Sequence, residues 1–310
     1  MTALVADRVV KRYGSTVALD EVSFRIGAGQ LVAVLGPNGS GKTTLVDLLA
    51  GFSAPSGGTV RVLGADPHRG GPAWRARIGL VPQETSLDLR LTVAEVLRAF
   101  AAAYPRPLPV GEVLALIDLA AEAGTRIGAL SGGQRRRVDL GLGLIGRPEV
   151  LFLDEPTTGL DPRARRRVWA CVRDLTAADT AVVLTTHYLD EAQQLADRVL
   201  VLAGGRLAAD ATPDELRTHA AAPTIRLPMP PVAAAELPAA LKVHLDGDEL
   251  VLRSADVGAD LAGLLDWARR TGVDLSGLQV GPPSLEEAYL VLTGPVDPVR
   301  RERRREPSHA

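Results

Sequence analysis

Gly36-Pro37-Asn38-Gly39-Ser40-Gly41-Lys42-Thr43-Thr44 sets three glycines, one lysine and three hydroxyls side by side. The stretch fits G-x-x-x-x-G-K-[ST] and stands between an apolar run and a helix-like run, the context that a phosphate cradle requires. Glycine lets consecutive N–H groups turn inward on phosphate, Lys42 reaches the outer phosphates, and the Thr43 hydroxyl can hold Mg²⁺. This predicts a nucleoside triphosphate site. Further along, Val150-Leu151-Phe152-Leu153-Asp154-Glu155 is an apolar strand ending in two acids. Asp154 is the expected Mg²⁺ carboxylate, and Glu155, acting through a water on the γ-phosphate, is expected as general base or water-positioning group. A second glycine pair lies in Leu130-Ser131-Gly132-Gly133-Gln134, at what reads as a helix mouth. Backbone amides there can also face an anion. One chain thus carries two phosphate-facing turns and only one lysine-bearing loop.

These residues need a scaffold that brings strand ends together. Apolar strands at 31–36, 150–154, 181–186 and 198–204 alternate with helical stretches. That pattern predicts a parallel sheet with helices on its faces, an α/β domain over 1–218. Strand signals vanish between Gln83 and Leu130, while TVAEVLRAFAAAY and VGEVLALIDLAAEA read as helices. A helical subdomain inserted at about 84–145 is expected. After DELRTHA the chain turns proline-rich, which marks a boundary near 219–224. Residues 219–293 then read as a small α+β domain without a catalytic motif. Five arginines between 300 and 305 with no apolar pattern predict a disordered tail over 294–310.

Composition narrows the function classes. At 310 residues with a formal net charge of −2 and mixed signs, the chain has no global field to recruit nucleic acid. Its one cysteine, Cys171, excludes an intrachain disulfide and reads as a packed thiol in a reducing compartment. The first residues lack the apolar region of a secretory signal, and the longest apolar runs fall far short of the ~18 residues that suggest a membrane span. If the protein works at a membrane, another chain must cross it.

The loop at 36–43, "LSGGQ", "FLDEP" and "THYLDEA" occur in the order seen in ATP-binding cassette (ABC) ATPases, and the chain resembles that family over about residues 2–218. The resemblance implies a P-loop NTPase fold, ATP and Mg²⁺ as ligands, and a homodimer in which the LSGGQ turn completes the ATP site of the opposite subunit. By position it implies that Ser131 and Gly133 contact the γ-phosphate across the dimer while Gly132 and Gln134 shape the turn. Gln83 in LVPQET resembles the glutamine that senses Mg²⁺ and the attacking water. His187 resembles the switch histidine at the γ-phosphate, Asp161 in TTGLDP the aspartate that links the two sites, and Tyr13 the aromatic stacked on adenine. RRRVDLGLGLIGRPEVLFLDEPTTGLDP with PSLEEAYLVLTG is similar to ATPase subunits of ABC-2-type exporters, those of daunorubicin resistance above all. A separate multi-span permease, a place at the cytoplasmic face of a bacterial membrane and a drug, lipid or glycopolymer-like cargo are what this implies. The competing reading is a soluble ABC ATPase acting on ribosomes or DNA; a single P-loop argues against it, because ribosome-acting relatives usually carry two cassettes.

Overall fold

The structure, a computed structural model, describes residues 1–83, 85–220, 222–228, 243–246 and 249–293. The tail expected to be disordered lies outside these residues, as does the end of the proline-rich stretch from residue 229 onward. The chain divides into two compact units, Met1–Thr212 and Pro213–Ala310. Helix α8 (Pro213–Ala220), placed by composition with the first unit, belongs to the second.

The first unit is built on a six-stranded sheet in the order β5 (Ile78–Val81), β6 (Val150–Asp154), β7 (Ala181–Thr185), β3 (Leu31–Leu35), β8 (Arg198–Ala203), β9 (Arg206–Ala211). The first five strands are parallel and β9 runs back against β8. Every residue of β3, β6 and β7 is buried, as a parallel strand covered on both faces demands. Their side chains alternate between two cores. Leu31, Leu151, Leu153, Val182 and Leu184 pack under the helices on one face. Val32, Val34, Phe152 and Val183 pack on the other, against α1 (Lys42–Leu49) and a second sheet.

That second sheet is antiparallel, in the order β2 (Thr16–Gly27), β1 (Thr2–Tyr13), β4 (Gly57–Val62). It was not legible as a separate layer in the sequence, because the charges of β1 and β2 blur their alternation. Tyr13 pairs with Thr16 across a tight turn in which Gly14 takes φ 58°.

Short α2 (Pro72–Arg75) precedes β5 and α7 (Leu189–Leu195) follows β7, while between β5 and β6 lie α3 (Val93–Ala101), α4 (Val110–Leu116) and α5 (Gly132–Leu144), where the inserted helices were expected. Thr92 and Glu95 form a capping box that starts α3. Helix α4 is shorter than its apolar pattern predicts. It ends at Leu116, and Asp118 takes φ 52°, outside the helical region. Tertiary bonds hold that break: Arg137 Nη1 donates to Ile117 O at 3.0 Å and Asp118 O at 2.6 Å, and Arg167 also pairs with Asp118. Helix α6 (Pro162–Ala177) follows β6 and buries Cys171, whose thiol burial pushes up to about 11, so it is an inert packed thiol.

In the second unit the sheet order is β11 (Val243–Asp246), β12 (Glu249–Arg253), β10 (Thr224–Pro228), β13 (Gln279–Gly281), antiparallel throughout. Helix α9 (Val257–Thr271) lays Leu264 and Trp267 on Ile225, Leu227, Leu250 and Leu252. It is capped by Asp256 at one end and by left-handed Gly272 at the other. Helix α10 (Leu285–Thr293) packs on α8, and Arg217 Nε donates to Pro283 O at 3.0 Å. This is the expected small α+β architecture.

Candidate functional site

Sheet order assembles the site. Strands β6, β7 and β3 are neighbours, so the loops leaving their carboxyl ends, which start at Glu155, Thr186 and Gly36, emerge side by side. Ligands of open α/β sheets sit at such a place.

The loop at 36–43 needs its glycines for identifiable reasons. A Cβ at Gly36 would stand 2.3 Å from Ser40 Oγ and 2.5 Å from Leu202 O, closer than any side chain tolerates. Gly41 takes φ 104° and caps α1 with no side chain over the helix mouth, and Gly39 takes φ 78°. The first-turn amides of α1 are therefore open to an anion. Lys42 is buried, and its Nζ donates to Gly36 O at 2.7 Å and Pro37 O at 3.3 Å, spanning the loop. Burial holds its ammonium below the ordinary lysine range, while Glu155 and Asp154 pull it back up. Ser40 Oγ is buried without a partner, as expected of a hydroxyl that faces a ligand. Pro37, Asn38, Gly39 and Thr43 are exposed, and Thr44 is half-buried. Gly36→Ala should cost about 1–3 kcal/mol of stability, the range for overpacking a close contact. It should also weaken ATP binding; a variant with unchanged melting temperature and ATP affinity would remove the steric argument.

Asp154 ends β6, buried, and accepts a hydrogen bond from Thr185 Oγ1 on the adjacent strand. Mg²⁺ takes one or two carboxylates and fills its remaining positions with phosphate oxygens and water. A buried carboxylate on Asp154 and an exposed Thr43 hydroxyl at the loop fit such a donor set. Among the described residues no cluster of three or more His, Cys, Asp or Glu could cage a metal, so a phosphate-assisted site is the form these donors suit.

Glu155 takes φ 47°, a left-handed conformation rare for glutamate. Its N–H donates to Thr185 O at 3.0 Å, which helps to hold that turn. Its carboxylate Oε2 accepts from Gln83 Nε2 at 3.4 Å and Thr158 Oγ1 at 3.3 Å and lies 3.3 Å from His187 Nδ1. Three residues from three separate strand ends thus converge on one carboxylate oxygen. The His187 ring also lies against Tyr188, with centroids 4.1 Å apart.

The Ser131–Gln134 turn opens α5. Ser131 Oγ accepts from Gln134 N at 3.2 Å, and Gln134 Oε1 accepts from Ser131 N at 2.9 Å, a reciprocal capping box. Gln134 Nε2 continues to Glu122 Oε1 at 3.2 Å. Gln134 is therefore spent on shaping the turn, while the Ser131 hydroxyl keeps its proton to donate. A Cβ at Gly132 would meet nothing within 4 Å, and one at Gly133 would make ordinary contact with Leu160 at 3.5 Å. Asp161 caps α6, accepting from Arg163 N at 2.8 Å and Ala164 N at 3.0 Å, bonds that lower its carboxyl below the usual range. Tyr13 stands at the end of β1 with half of its surface exposed and Lys11 Nζ 4.9 Å from its ring centroid.

Three residues escaped the sequence reading. Thr185 and Thr158 belong to the acids' neighbourhood, and only the pairing of β6 with β7 reveals the first. Arg136 sits in RRR, a run to which the sequence reading gave no part in the site. It is buried, and every one of its N–H groups meets a backbone carbonyl beside Gln83 or Glu155.

Comparison with known proteins agrees with this geometry. A family model described as ABC transporter matches residues 19–158, and one described as ABC transporter domain-containing protein-like, C-terminal domain, matches residues 223–284. The chain is 40% identical over 304 residues to the daunorubicin resistance ATP-binding protein DrrA3 of Streptomyces coeruleorubidus, covering 94% of this chain and 96% of that protein. It is 37% identical over 302 residues to the Nod factor export ATP-binding protein I of Paraburkholderia xenovorans (strain LB400), covering 94% and 97%. Among solved structures, an ATP-binding subunit of an ABC transporter aligns with TM-score 0.64 and 28% identity over 70% of this chain and 92% of that one. A dimeric, post-hydrolysis ATP-binding cassette bound to ADP and Pi aligns with TM-score 0.61 and 25% identity over 67% and 98%. A P-loop on a buried parallel sheet, a carboxylate gripped by three strand ends and these full-length similarities have one reading: the chain belongs to the ABC transporter ATP-binding proteins, in the group of the daunorubicin-resistance and Nod factor export ATPases.

Proposed function

We propose that this ATPase works as a homodimer with two shared sites and powers a separate multi-span permease of the ABC-2 type. Each site joins the P-loop of one copy to the Ser131–Gln134 turn of the other. Closure of the dimer on ATP drives export of a drug, lipid or glycopolymer-like molecule from the cytoplasmic face of the membrane. The similarity to daunorubicin-resistance and Nod factor export proteins supports the export reading. Among the described residues no helix is long and apolar enough to cross a membrane, so the pathway is assigned to a second chain.

The observation that carries the shared site is the pair Gly132 and Gly133. Neither takes a left-handed φ, and neither is crowded by its own chain. Nothing within the subunit asks for glycine there, whereas a phosphate brought to the helix mouth from outside would. The Ser131 O–H and the first amides of α5 then donate to the γ-phosphate. On the P-loop side, Lys42 and the loop amides take the β- and γ-phosphates, Tyr13 stacks on adenine, and Thr43, Asp154 and Gln83 face Mg²⁺. The metal supplies charge neutralisation at the phosphates. Glu155 takes a proton from the attacking water, Gln83 orients that water, and His187 contacts the γ-phosphate. Asp161 links the two sites.

A cavity of about 580 Å³ beside β5, lined by Phe52, Leu80, Pro82, Thr85, Phe100 and Tyr104, supports permease docking. Phe52 is 67% exposed and Phe100 44% exposed, an apolar rim next to Gln83 that a partner would cover.

The test mixes two inactive proteins, Lys42→Ala and Gly133→Asp. In a mixed dimer with shared sites, one site carries both lesions and the other combines intact Lys42 with intact Gly133. ATP-dependent closure, read by crosslinking, and some phosphate release should return on mixing. If mixed dimers form and neither signal rises, the turn serves its own chain and the shared site is wrong.

A further inference from the structure

We infer that Arg136 is a positioning residue that ties the helix opened by the Ser131–Gln134 turn to the main chain at Gln83 and Glu155, and so sets the backbone from which the hydrolytic side chains project. The inference rests on the role given to Glu155 above.

A guanidinium carries five N–H donors in a rigid plane. Arg136 spends all of them on main-chain carbonyls. Nη1 donates to Pro82 O at 2.6 Å and Gln83 O at 3.2 Å. Nη2 donates to Asp154 O at 2.8 Å and Glu155 O at 3.1 Å, and Nε donates to Pro156 O at 3.0 Å. These acceptors lie at or just past the ends of β5 and β6, where the chain leaves the sheet and its carbonyls run out of ladder partners. Arg136 therefore closes two strand ends at once, with Asp139 one turn along as its counter-charge at 3.7 Å.

Two consequences follow from the placement. Arg136 lies in the second turn of α5, the helix whose first residues form the phosphate-facing turn. Its guanidinium bonds therefore join that helix to the main chain at Gln83 and Glu155. Glu155 is also held at φ 47°, a conformation that persists only where the surroundings over-determine it. The Arg136 bonds to Asp154 O, Glu155 O and Pro156 O supply that constraint on one side, and the Glu155 N–H bond to Thr185 O supplies it on the other. The P-loop lies on β3, two strands away from β6 in the sheet, and takes no bond from Arg136. The predicted lesion is accordingly in turnover and not in nucleotide affinity.

The experiment compares Arg136→Lys and Arg136→Gln with the wild type in the full chain. It measures kcat, affinity for a non-hydrolysable ATP analogue and the melting temperature. Lysine keeps the charge but offers three donors from one point and cannot span two strand ends. Both variants should bind the analogue within about twofold of wild type while kcat falls about 10- to 100-fold, the scale of a small misplacement of a reacting group. Added to Glu155→Gln, Arg136→Lys should lower the residual rate by less than about twofold, because both changes act on the same water. Wild-type kcat in both variants, a parallel loss of analogue affinity, or a fully multiplicative loss in the double variant would each overturn the inference. So would failure of both variants to fold, which would make Arg136 a support of the fold alone. Hydrolysis at the wild-type rate in Glu155→Gln would instead defeat the reading of Glu155 beneath it.

Discussion

Glu155→Gln should leave a protein that binds ATP and scarcely hydrolyses it, with kcat lowered about 10²- to 10⁴-fold, the contribution of a general base. The substitution keeps the shape of the side chain and its reach to Gln83, Thr158 and His187, so the network around it is disturbed little. What it removes is the negative oxygen on which those three groups converge, the acceptor proposed to take a proton from water. Binding is assigned to different atoms, the loop at 36–43 and Lys42, and those bonds are untouched. ATP should then accumulate in closed dimers, visible as a doubling of mass by light scattering. Phosphate release within about threefold of wild type would exclude Glu155 as the base.

Lys42→Ala should lower hydrolysis about 10²- to 10³-fold or more, the cost of deleting one preorganised charge at the transferring phosphoryl group. The wild-type protein offers a companion test through pH. Burial depresses the Lys42 ammonium below its ordinary value of 10.5, against the opposing pull of Glu155 and Asp154. Sign matters here: in the interval between the folded and the unfolded pKa the unfolded chain binds the extra proton, so this group adds stability as pH rises through that window. Hydrolysis measured as kcat/KM, which reports the free enzyme and needs the ammonium, falls over the same window. Activity should therefore decline at a pH below 10.5 without loss of the far-UV circular dichroism signal. An alkaline limb that coincides with unfolding would show that Lys42 is not the titrating group.

Much of this protein is written in short stretches of its sequence. The P-loop is legible because the demands that mark it are local: a left-handed φ at Gly39 and Gly41, a helix mouth just after, an apolar strand just before; the close approach of Leu202 to Gly36 is the part only the fold shows. Strands β3, β6 and β7 are legible for a similar reason, since burial on both faces leaves an unbroken apolar run. The family followed from the order of such stretches along the chain, and the comparisons agree with it.

The tertiary structure decided what depends on distant neighbours. Sheet order, fixed by long-range burial, put β6 between β5 and β7 and so brought Gln83 and His187 onto Glu155. The antiparallel sheet of β1, β2 and β4 and the early end of α4 at Leu116 depend on partners far away in sequence. Arg136 marks the divide most sharply. In a row of three arginines nothing local distinguishes it, and its five acceptors come from two loops about 20 and 53 residues away, which only the folded chain brings within reach of one guanidinium.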